Sequence, residues 1–180
     1  MPTLGSIRLE DGRIAEVSFL SRADSTGELL VFINRLIAEK AYILLDKKLT
    51  LAQEEEWKKG ELEGFRKKAK YTLIARIGGK IAASSHASCG IGRERESVML
   101  GLAVVKPYRR LGLGEALLRF NINTARKFFR PKPKNIWLSV LRPNRPAYSL
   151  YKKVGFREFA VWPKWIKYNG KYLDSVVLKL

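Results

Sequence analysis

One stretch of the sequence constrains the fold more than any other: the apolar run from Val98 to Val105, a glycine-containing turn, and a helical pattern that begins at Leu113. The run has the length of a strand and is apolar at nearly every position, which predicts a strand buried on both faces in the middle of a sheet. Pro131 and Pro133 end the helix before a second strand-like run, Ile136 to Leu141. We therefore expect a strand, a crossover helix and a parallel strand.

Turn and capping signals divide the rest of the chain into short elements. Dipeptides that favour positive φ predict three tight hairpins, and Ser or Thr followed three residues later by Glu or Gln predicts two helix starts. The second of these helices is polar nearly all round, so we expect it on the surface. With 180 residues, 46% of them apolar, the chain suits one α/β domain over residues 1–180. The hairpins are predicted at Asp11-Gly12, Gly78-Gly79 and Asn169-Gly170, the helix starts at Ser25 and Thr50, and a further short helix between Asn144 and Gly155.

The charge balance is strongly basic. Lys and Arg number 35 against 17 Asp and Glu, a formal net charge of +18, which predicts a surface that attracts polyanions. Nucleic acid and a phosphorylated cofactor both fit as partners. The apolar runs are too short to cross a bilayer, and Met1 to Glu10 lacks the apolar stretch of a signal peptide. We therefore expect a cytoplasmic protein without a membrane partner, either a monomer or a homodimer.

Cysteine and histidine are each present once. Because Cys89 is the only cysteine, no disulfide within the chain and no cysteine-rich metal site can form, and we expect no metal. His86, the only histidine, lies three positions before Cys89 near a strand end, which points the two side chains to opposite faces. We expect both to be local packing residues.

The turn between the apolar run and the helix, Arg109-Arg110-Leu111-Gly112-Leu113-Gly114, is typical of an anion site. Glycines at a helix start let the backbone approach a ligand and leave several N–H groups without intrahelical partners. The helix dipole adds partial positive charge, and Arg109 and Arg110 add whole charges. A diphosphate is therefore the expected occupant.

Together with a second motif further along the chain, this turn resembles the GNAT superfamily of N-acetyltransferases, including members that act on protein N-termini. The family's phosphate signature is Arg or Gln, two residues, Gly, one residue, and Gly or Ala, and Arg109, Gly112 and Gly114 match it. The later signature is Asn, then Ala, Leu-Tyr, Lys and Gly-Phe. The matching residues are Asn144, Ala147, Leu150, Tyr151, Lys153, Gly155 and Phe156.

The resemblance implies a fold, a donor substrate and a set of contacts. The fold is a single domain with a central mixed, mostly antiparallel sheet of about six to seven strands, flanked by helices and ending in a β-hairpin, with its acetyl-CoA core at about residues 97–156. The donor is acetyl-CoA; Asn144 would bond its pantetheine arm and Tyr151 would lie near its sulfur. The implied cofactor-binding residues are Leu102, Ala103, Val104, Arg109, Arg110, Leu111, Gly112, Leu113, Gly114, Glu115, Asn144, Ala147, Tyr151 and Lys153.

Tyr151 has the chemistry of a general acid for acetyl transfer. An amine attacks the thioester carbonyl, an N–H of the Leu102 to Val104 strand stabilises the charge on the oxygen, and a thiolate leaves. A phenol with a pKa of about 10 can protonate a thiolate whose pKa is about 8.5. The alternative is that Tyr151 is a core aromatic residue beside Phe156.

The general base is where the chain departs from the family. Many members carry a glutamate on the strand before the turn, at the position that Val98 occupies here. Glu94 and Glu96 lie just before this position and are candidate bases that would act through water, although charged loop residues are more often solvated surface. An α-amino group with a pKa near 8 loses its proton more readily than a lysine with a pKa of about 10.4. The missing glutamate therefore favours a protein or peptide N-terminal amine as acceptor.

Two other functions stay open. The last hairpin mixes aromatic and basic residues, a pattern that also binds single-stranded nucleic acid, so a catalytically weak nucleic-acid or ribosome-binding module of the same fold is the main alternative. An acetyltransferase for small-molecule amines is another, although a strongly positive surface repels polyamines. The hairpin residues are Trp162, Trp165, Tyr168 and Tyr172 with Lys164, Lys167 and Lys171.

Overall fold

The structure is a computed structural model that describes residues 3–180. Its strands are β1 (Gly5–Arg8), β2 (Ile14–Phe19), β3 (Lys70–Ile77), β4 (Lys80–Cys89), β5 (Ser97–Val104), β6 (Asn135–Leu141), β7 (Arg157–Tyr168) and β8 (Lys171–Lys179). They form one sheet in the order β1-β2-β3-β4-β5-β6-β8-β7. Every neighbouring pair is antiparallel except β5 and β6, which are parallel. The predicted mixed, mostly antiparallel sheet is confirmed, with eight strands in the described residues rather than six or seven.

Four α-helices cover the sheet: α1 (Thr26–Ala38), α2 (Leu51–Arg66), α3 (Leu113–Phe128) and α4 (Arg145–Val154). α1 and α2 lie on one side, which we call the front face, and α3 and α4 lie on the back face. Since α3 connects the parallel strands β5 and β6, the predicted crossover is confirmed. No helix of the described residues is long and apolar enough to span a membrane. The front cluster includes Leu29, Phe32, Leu36, Ile74 and Ile81, and the back cluster Leu73, Ala83, Val98, Leu117 and Leu118.

The predicted turns and helix starts are present. All three hairpins form, and at the last one Asn169 and Gly170 have φ of 48° and 80°, the left-handed conformation that a two-residue hairpin needs. Ser25 caps α1, and Thr50 forms a complete capping box with Gln53 at the start of α2. These local signals were sufficient because each is satisfied within a few residues of the chain.

The helix α2 buries a different side from the one its apolar residues indicate. Glu54 and Glu61 are buried, whereas Leu51 and Trp57 are 48% and 40% exposed. The Thr72 hydroxyl donates to Glu61 Oε2 at 2.7 Å, so the carboxylate has a partner in β3. The helix therefore lies on the surface as expected, but it also has a polar buried side, which a hydropathy pattern does not detect because the buried Glu61 carboxylate is bound by the sheet.

The strand β5 lies in the interior of the sheet, but it is not buried on both faces as expected. Val98 and Leu100 are buried against α3 on the back face. Met99 and Gly101, which point to the front, are only half-buried. Since α1 and α2 pack on the strands before β5, they leave this part of the front face open.

Candidate functional site

The turn before α3 presents a row of free backbone N–H groups. Gly112 is the N-cap with a φ of 78°, it provides no side-chain cap, and the first intrahelical bond runs from Ala116 N to its carbonyl. Arg110 also has a positive φ, 61°. Among the described residues, the N–H groups of residues 110 to 115 have no hydrogen-bond acceptor. Unpaired donors at the positive end of a helix dipole form an anion site, and we call residues 109 to 115 the cradle.

The two arginines of the cradle have different surroundings. The Arg109 guanidinium bonds Glu39 Oε2 at 2.7 Å and the Val104 carbonyl at 2.8 Å. The Glu39 carboxylate also accepts the backbone N–H of Lys106. Arg109 therefore ties the end of α1 to the cradle, while the exposed Arg110 is the arginine whose charge is available to a diphosphate.

A gap opens between β5 and β6 next to the cradle. The parallel ladder pairs only Ser97–Met99 with Asn135–Trp137, although β5 continues to Val104. The Gly101 carbonyl points to β4, where it accepts from Ser85 Oγ at 2.7 Å. Polar backbone groups alternate sides along a strand, so those of Leu102 point into the gap.

The same alternation separates the three strand residues that were predicted to bind the donor. Val104 directs its carbonyl into the gap, where Arg109 binds it. Ala103 lies between Leu102 and Val104 and pairs with Ser84, so its backbone groups face β4. Leu102 and Val104 are therefore the residues that could pair with an extended arm of amide groups.

A buried hydrogen-bond network on the back face of the sheet ends at the Gly101 carbonyl. The Tyr71 hydroxyl donates to Asn121 Oδ1 at 2.6 Å, and Asn121 Nδ2 donates to Ser85 Oγ at 2.7 Å. Tyr71, Asn121 and Ser85 are all fully buried, and burial raises the pKa of the Tyr71 phenol. The network fixes the peptide between Gly101 and Leu102, whose N–H points into the gap. Sequence reasoning missed it, because its three members lie on three separate elements.

The helix α4 brings the second motif against the first. A Cβ atom at Gly114 would lie 3.5 Å from Leu150 and 3.7 Å from Leu102, so α4 and β5 meet at the start of α3. Lys153 pairs with Glu115 at 2.6 Å across the two helices. Asn144 caps α4 by accepting the Ala147 N–H, and its amide nitrogen has no partner among the described residues. The structure therefore brings Leu150 of the second motif next to Gly114 and Leu102, and it links Lys153 to Glu115.

Tyr151 lies in α4 and is 6% exposed. Burial raises the pKa of its phenol to about 12. The hydroxyl makes no hydrogen bond within residues 3–180, yet no fully buried side-chain nitrogen or oxygen in that range lacks a partner. The hydroxyl must therefore reach open space, and it keeps its proton at neutral pH.

The candidate glutamates lie away from the gap. Glu96 pairs with Lys134 at 2.9 Å, and five positions separate it from Gly101, about 16 Å along a strand. Glu94 is exposed in a short 3₁₀ turn, Gly92–Glu94. Val98 is fully buried on the back face, so a glutamate at that position would enter the core. The geometry gives no support to Glu94 or Glu96 as the base.

The front of β4, β5 and β6 forms an open cleft, which we call the acceptor cleft. His86 and Gly101 pair across β4 and β5, and Met99 and Trp137 pair across β5 and β6 on the same face. His86 is exposed in this cleft and belongs to neither hydrophobic cluster, which corrects the expectation that it packs in the interior. Cys89 packs against the back cluster, so the two side chains do point to opposite faces.

The β7–β8 hairpin leans over one side of the acceptor cleft. The Tyr168 hydroxyl donates to the Lys40 carbonyl at 2.6 Å, and its ring lies 5.0 Å from that of Tyr42 in the segment between α1 and α2. The rings of Trp162 and Trp137 pack edge to face, with their centroids 6.3 Å apart. The hairpin thus closes the cleft with aromatic rings. Among the described residues, no group of His, Cys, Asp and Glu could hold a metal ion.

Comparison with known proteins finds a matching family and relatives that are similar over part of their length. The family model described as acetyltransferase (GNAT) family matches residues 35–156. An N-alpha-acetyltransferase from Sulfurisphaera tokodaii is 38% identical over 63 residues, 35% of this chain and 36% of the relative. A ribosomal protein bS18-alanine N-acetyltransferase from Escherichia coli K12 is 29% identical over 85 residues, 47% of this chain and 55% of the relative. The chain thus spans roughly a third to a half of the length of these curated relatives.

A solved structure from Salmonella typhimurium, determined with its cofactor acetyl-CoA, has the same fold. It superposes with a TM-score of 0.78 at 18% sequence identity, and the match covers 92% of this chain and 92% of the Salmonella chain. At this identity the likeness concerns the fold alone.

Proposed function

We propose that this chain, which belongs to the acetyltransferase (GNAT) family, transfers an acetyl group from acetyl-CoA to the N-terminal amine of a protein or peptide. The observation that carries the donor half is the row of unpaired N–H groups at residues 110 to 115 beside the β5–β6 gap. A diphosphate can accept hydrogen bonds from these N–H groups. In the gap, the amides of a pantetheine arm can pair with Leu102 and Val104.

The residues around the gap suit an attack on a thioester carbonyl. The Leu102 N–H, held in direction by the Ser85 bond to Gly101, can stabilise the negative charge that grows on the carbonyl oxygen. Tyr151 can then protonate the departing thiolate, because its phenol keeps its proton at neutral pH. Asn144 has a free amide nitrogen to donate to the arm, and Arg110 adds charge at the diphosphate.

Three observations support an N-terminal amine as acceptor. The two curated relatives are named for acetylation of an α-amine and of an alanine in a ribosomal protein. No carboxylate of the described residues is hydrogen-bonded to the peptide that borders the gap, and an α-amino group with a pKa near 8 needs a weaker base than a lysine of about 10.4. The aromatic walls of the acceptor cleft suit a peptide better than a polyamine, which the net charge of +18 would repel.

The test measures release of free thiol from acetyl-CoA with two matched peptides. One has a free N-terminus and no lysine, and the other has a blocked N-terminus and one internal lysine. We expect thiol release and a gain of one acetyl group by mass with the first peptide only. Transfer to the lysine peptide alone would remove the preference for N-termini, and thiol release with neither peptide nor any other amine would remove the enzymatic function.

A second candidate function rests on the surface of the hairpin. Trp165 and Tyr172 are both 62% exposed, and they stand among the exposed Lys164, Lys167 and Lys171. Stacking on such rings between positive charges binds single-stranded nucleic acid. A binding module of this kind needs no donor, so acetyl-CoA would leave its melting temperature unchanged, whereas a ligand raises the melting temperature of an enzyme that binds it.

A further inference from the structure

His86 lies directly over Gly101, and only glycine leaves room for it. A Cβ atom built at Gly101 would lie 2.5 Å from Nδ1 and 2.6 Å from Nε2 of the imidazole. A Cα–Cβ bond is about 1.5 Å, so both ring nitrogens are within roughly 4 Å of the Gly101 Cα atom. The absent side chain at position 101 is therefore what allows the imidazole to reach across β5.

This position places the imidazole beside the proposed point of attack. Leu102 follows Gly101, and its N–H is the donor that we assign to the carbonyl oxygen of the thioester. Neither nitrogen of His86 is hydrogen-bonded within residues 3–180, and the ring is exposed in the acceptor cleft. The donor site lies against α3 and α4 on the back face, so an amine that enters from the front meets His86 first.

The groups around His86 leave its imidazole neutral. Glu61 on α2 and Lys70 on β3 are the charged residues that face it, and they pair with each other at 2.7 Å. The protein atoms of the cleft desolvate the ring and thereby lower the pKa of His86, Glu61 opposes this shift, and Lys70 adds to it. The neighbours of His86 on β4 and β5, which include Ser84, Ser88 and Met99, carry no charge. A neutral imidazole has a free lone pair that can accept a proton.

We propose that His86 is the general base of the reaction, which extends the proposed function and rests on it. The amine nitrogen forms a bond to the thioester carbon while His86 takes one of its protons. The carbon–sulfur bond then breaks, and the thiolate takes the proton of Tyr151. Because the nitrogen proton becomes more acidic as the carbon–nitrogen bond forms, a base as weak as this imidazole is sufficient. The two protein groups recover their protonation states by proton exchange with water.

The principal test compares His86→Gln with Ser88→Ala, a change two positions along the same strand and on the same face. Because His86 is the only histidine, its pKa follows from a single imidazole signal in an NMR titration. We expect log kcat/KM of the wild type for the peptide to fall with slope one below the amine pKa near 8, and with slope two below the pKa of His86. His86→Gln should reduce kcat/KM about 100-fold and abolish the second slope, with acetyl-CoA affinity unchanged and Ser88→Ala close to wild type.

Retention of the slope of two below the pKa of His86, with activity within threefold of wild type, in His86→Gln would overturn the proposal, while the proposed function would stand. A wild-type protein that releases no thiol with any amine fails at the proposed function instead, and the role of His86 fails with it. These outcomes differ in the wild-type rate, so they are distinguishable.

A second pair of variants tests the geometry. Gly101→Ala places a methyl group in the space of the imidazole, so it should lower kcat/KM and shift the NMR signal of His86. In a His86→Ala background the same change should have no further effect on kcat/KM. Equal losses in the two backgrounds would contradict the packing of His86 over Gly101 and the role that depends on it.

Discussion

The cradle is a run of consecutive residues that presents backbone N–H groups, whereas the acceptor cleft takes side chains from β4, β5, β6 and the β7–β8 hairpin. The cradle needs only a helix start with glycine at the right place, which a short motif can specify. The cleft depends on which strands are neighbours. The proposed donor site can therefore be recognised in a sequence, while the proposed acceptor site is visible only in the fold.

Tyr151→Phe should have the largest effect on activity. The effect should be on the chemical step, in which the proposed donor and acceptor sites meet. We expect a loss of about 100-fold in kcat, because the variant cannot protonate the thiolate. With a pKa of about 12, the wild-type phenol should cause no alkaline fall in rate below pH 10. Steady-state kinetics measure the change in kcat, and calorimetry measures any change in acetyl-CoA affinity. An unchanged kcat would show that Tyr151 serves only in packing.

Gly112→Ala should weaken the donor side by about tenfold in acetyl-CoA affinity, which corresponds to about 1.4 kcal/mol. The φ of 78° strains an alanine and moves the N–H groups of the cradle. Gly170→Ala is the matched control, because Gly170 has a φ of 80° in the hairpin turn and is not part of the cradle. Both variants should lose about 1 kcal/mol of stability in urea unfolding. Equal acetyl-CoA affinity in the two variants would show that the cradle does not bind the donor.

Tyr168→Phe should affect the acceptor side and leave the donor side intact. It removes the hydrogen bond to the Lys40 carbonyl that holds the hairpin over the cleft, worth about 1 kcal/mol. We expect the peptide KM to rise about fivefold with acetyl-CoA affinity unchanged. Tyr172→Phe removes an exposed hydroxyl without a partner among the described residues and should be silent. A rise in KM for both variants, or for neither, would break the assignment of the hairpin to the acceptor.

Glu54→Gln should give the smallest effect, a gain in stability at neutral pH. Burial raises the pKa of Glu54 in the folded state, so on raising the pH the unfolded chain releases this proton first and stability falls. The penalty is complete above the folded pKa and absent well below the ordinary value of about 4.3. The higher urea midpoint of Glu54→Gln at pH 7 should therefore disappear near pH 3. Glu56→Gln, in the same helix and exposed, is the control.

The elements whose signals are local were predictable. Capping residues at Ser25 and Thr50, the turn at Asn169-Gly170 and the apolar run of β5 depend on neighbours within a few positions. The backbone of the cradle belongs to the same class, since a left-handed Gly112 and the helix after it leave these N–H groups unpaired through local geometry alone. Membership in the acetyltransferase family could therefore be anticipated from two short motifs.

Partners that come from distant segments were decided by the tertiary structure. Arg109 is bound by Glu39 from α1, and the gap after Met99 exists because β6 pairs with only the first part of β5. His86 reaches the cleft because Gly101, from another strand, leaves it space. A strand pattern specifies which side chains share a face, but the neighbouring strand and the helices that leave the face open are settled only when the whole sheet assembles.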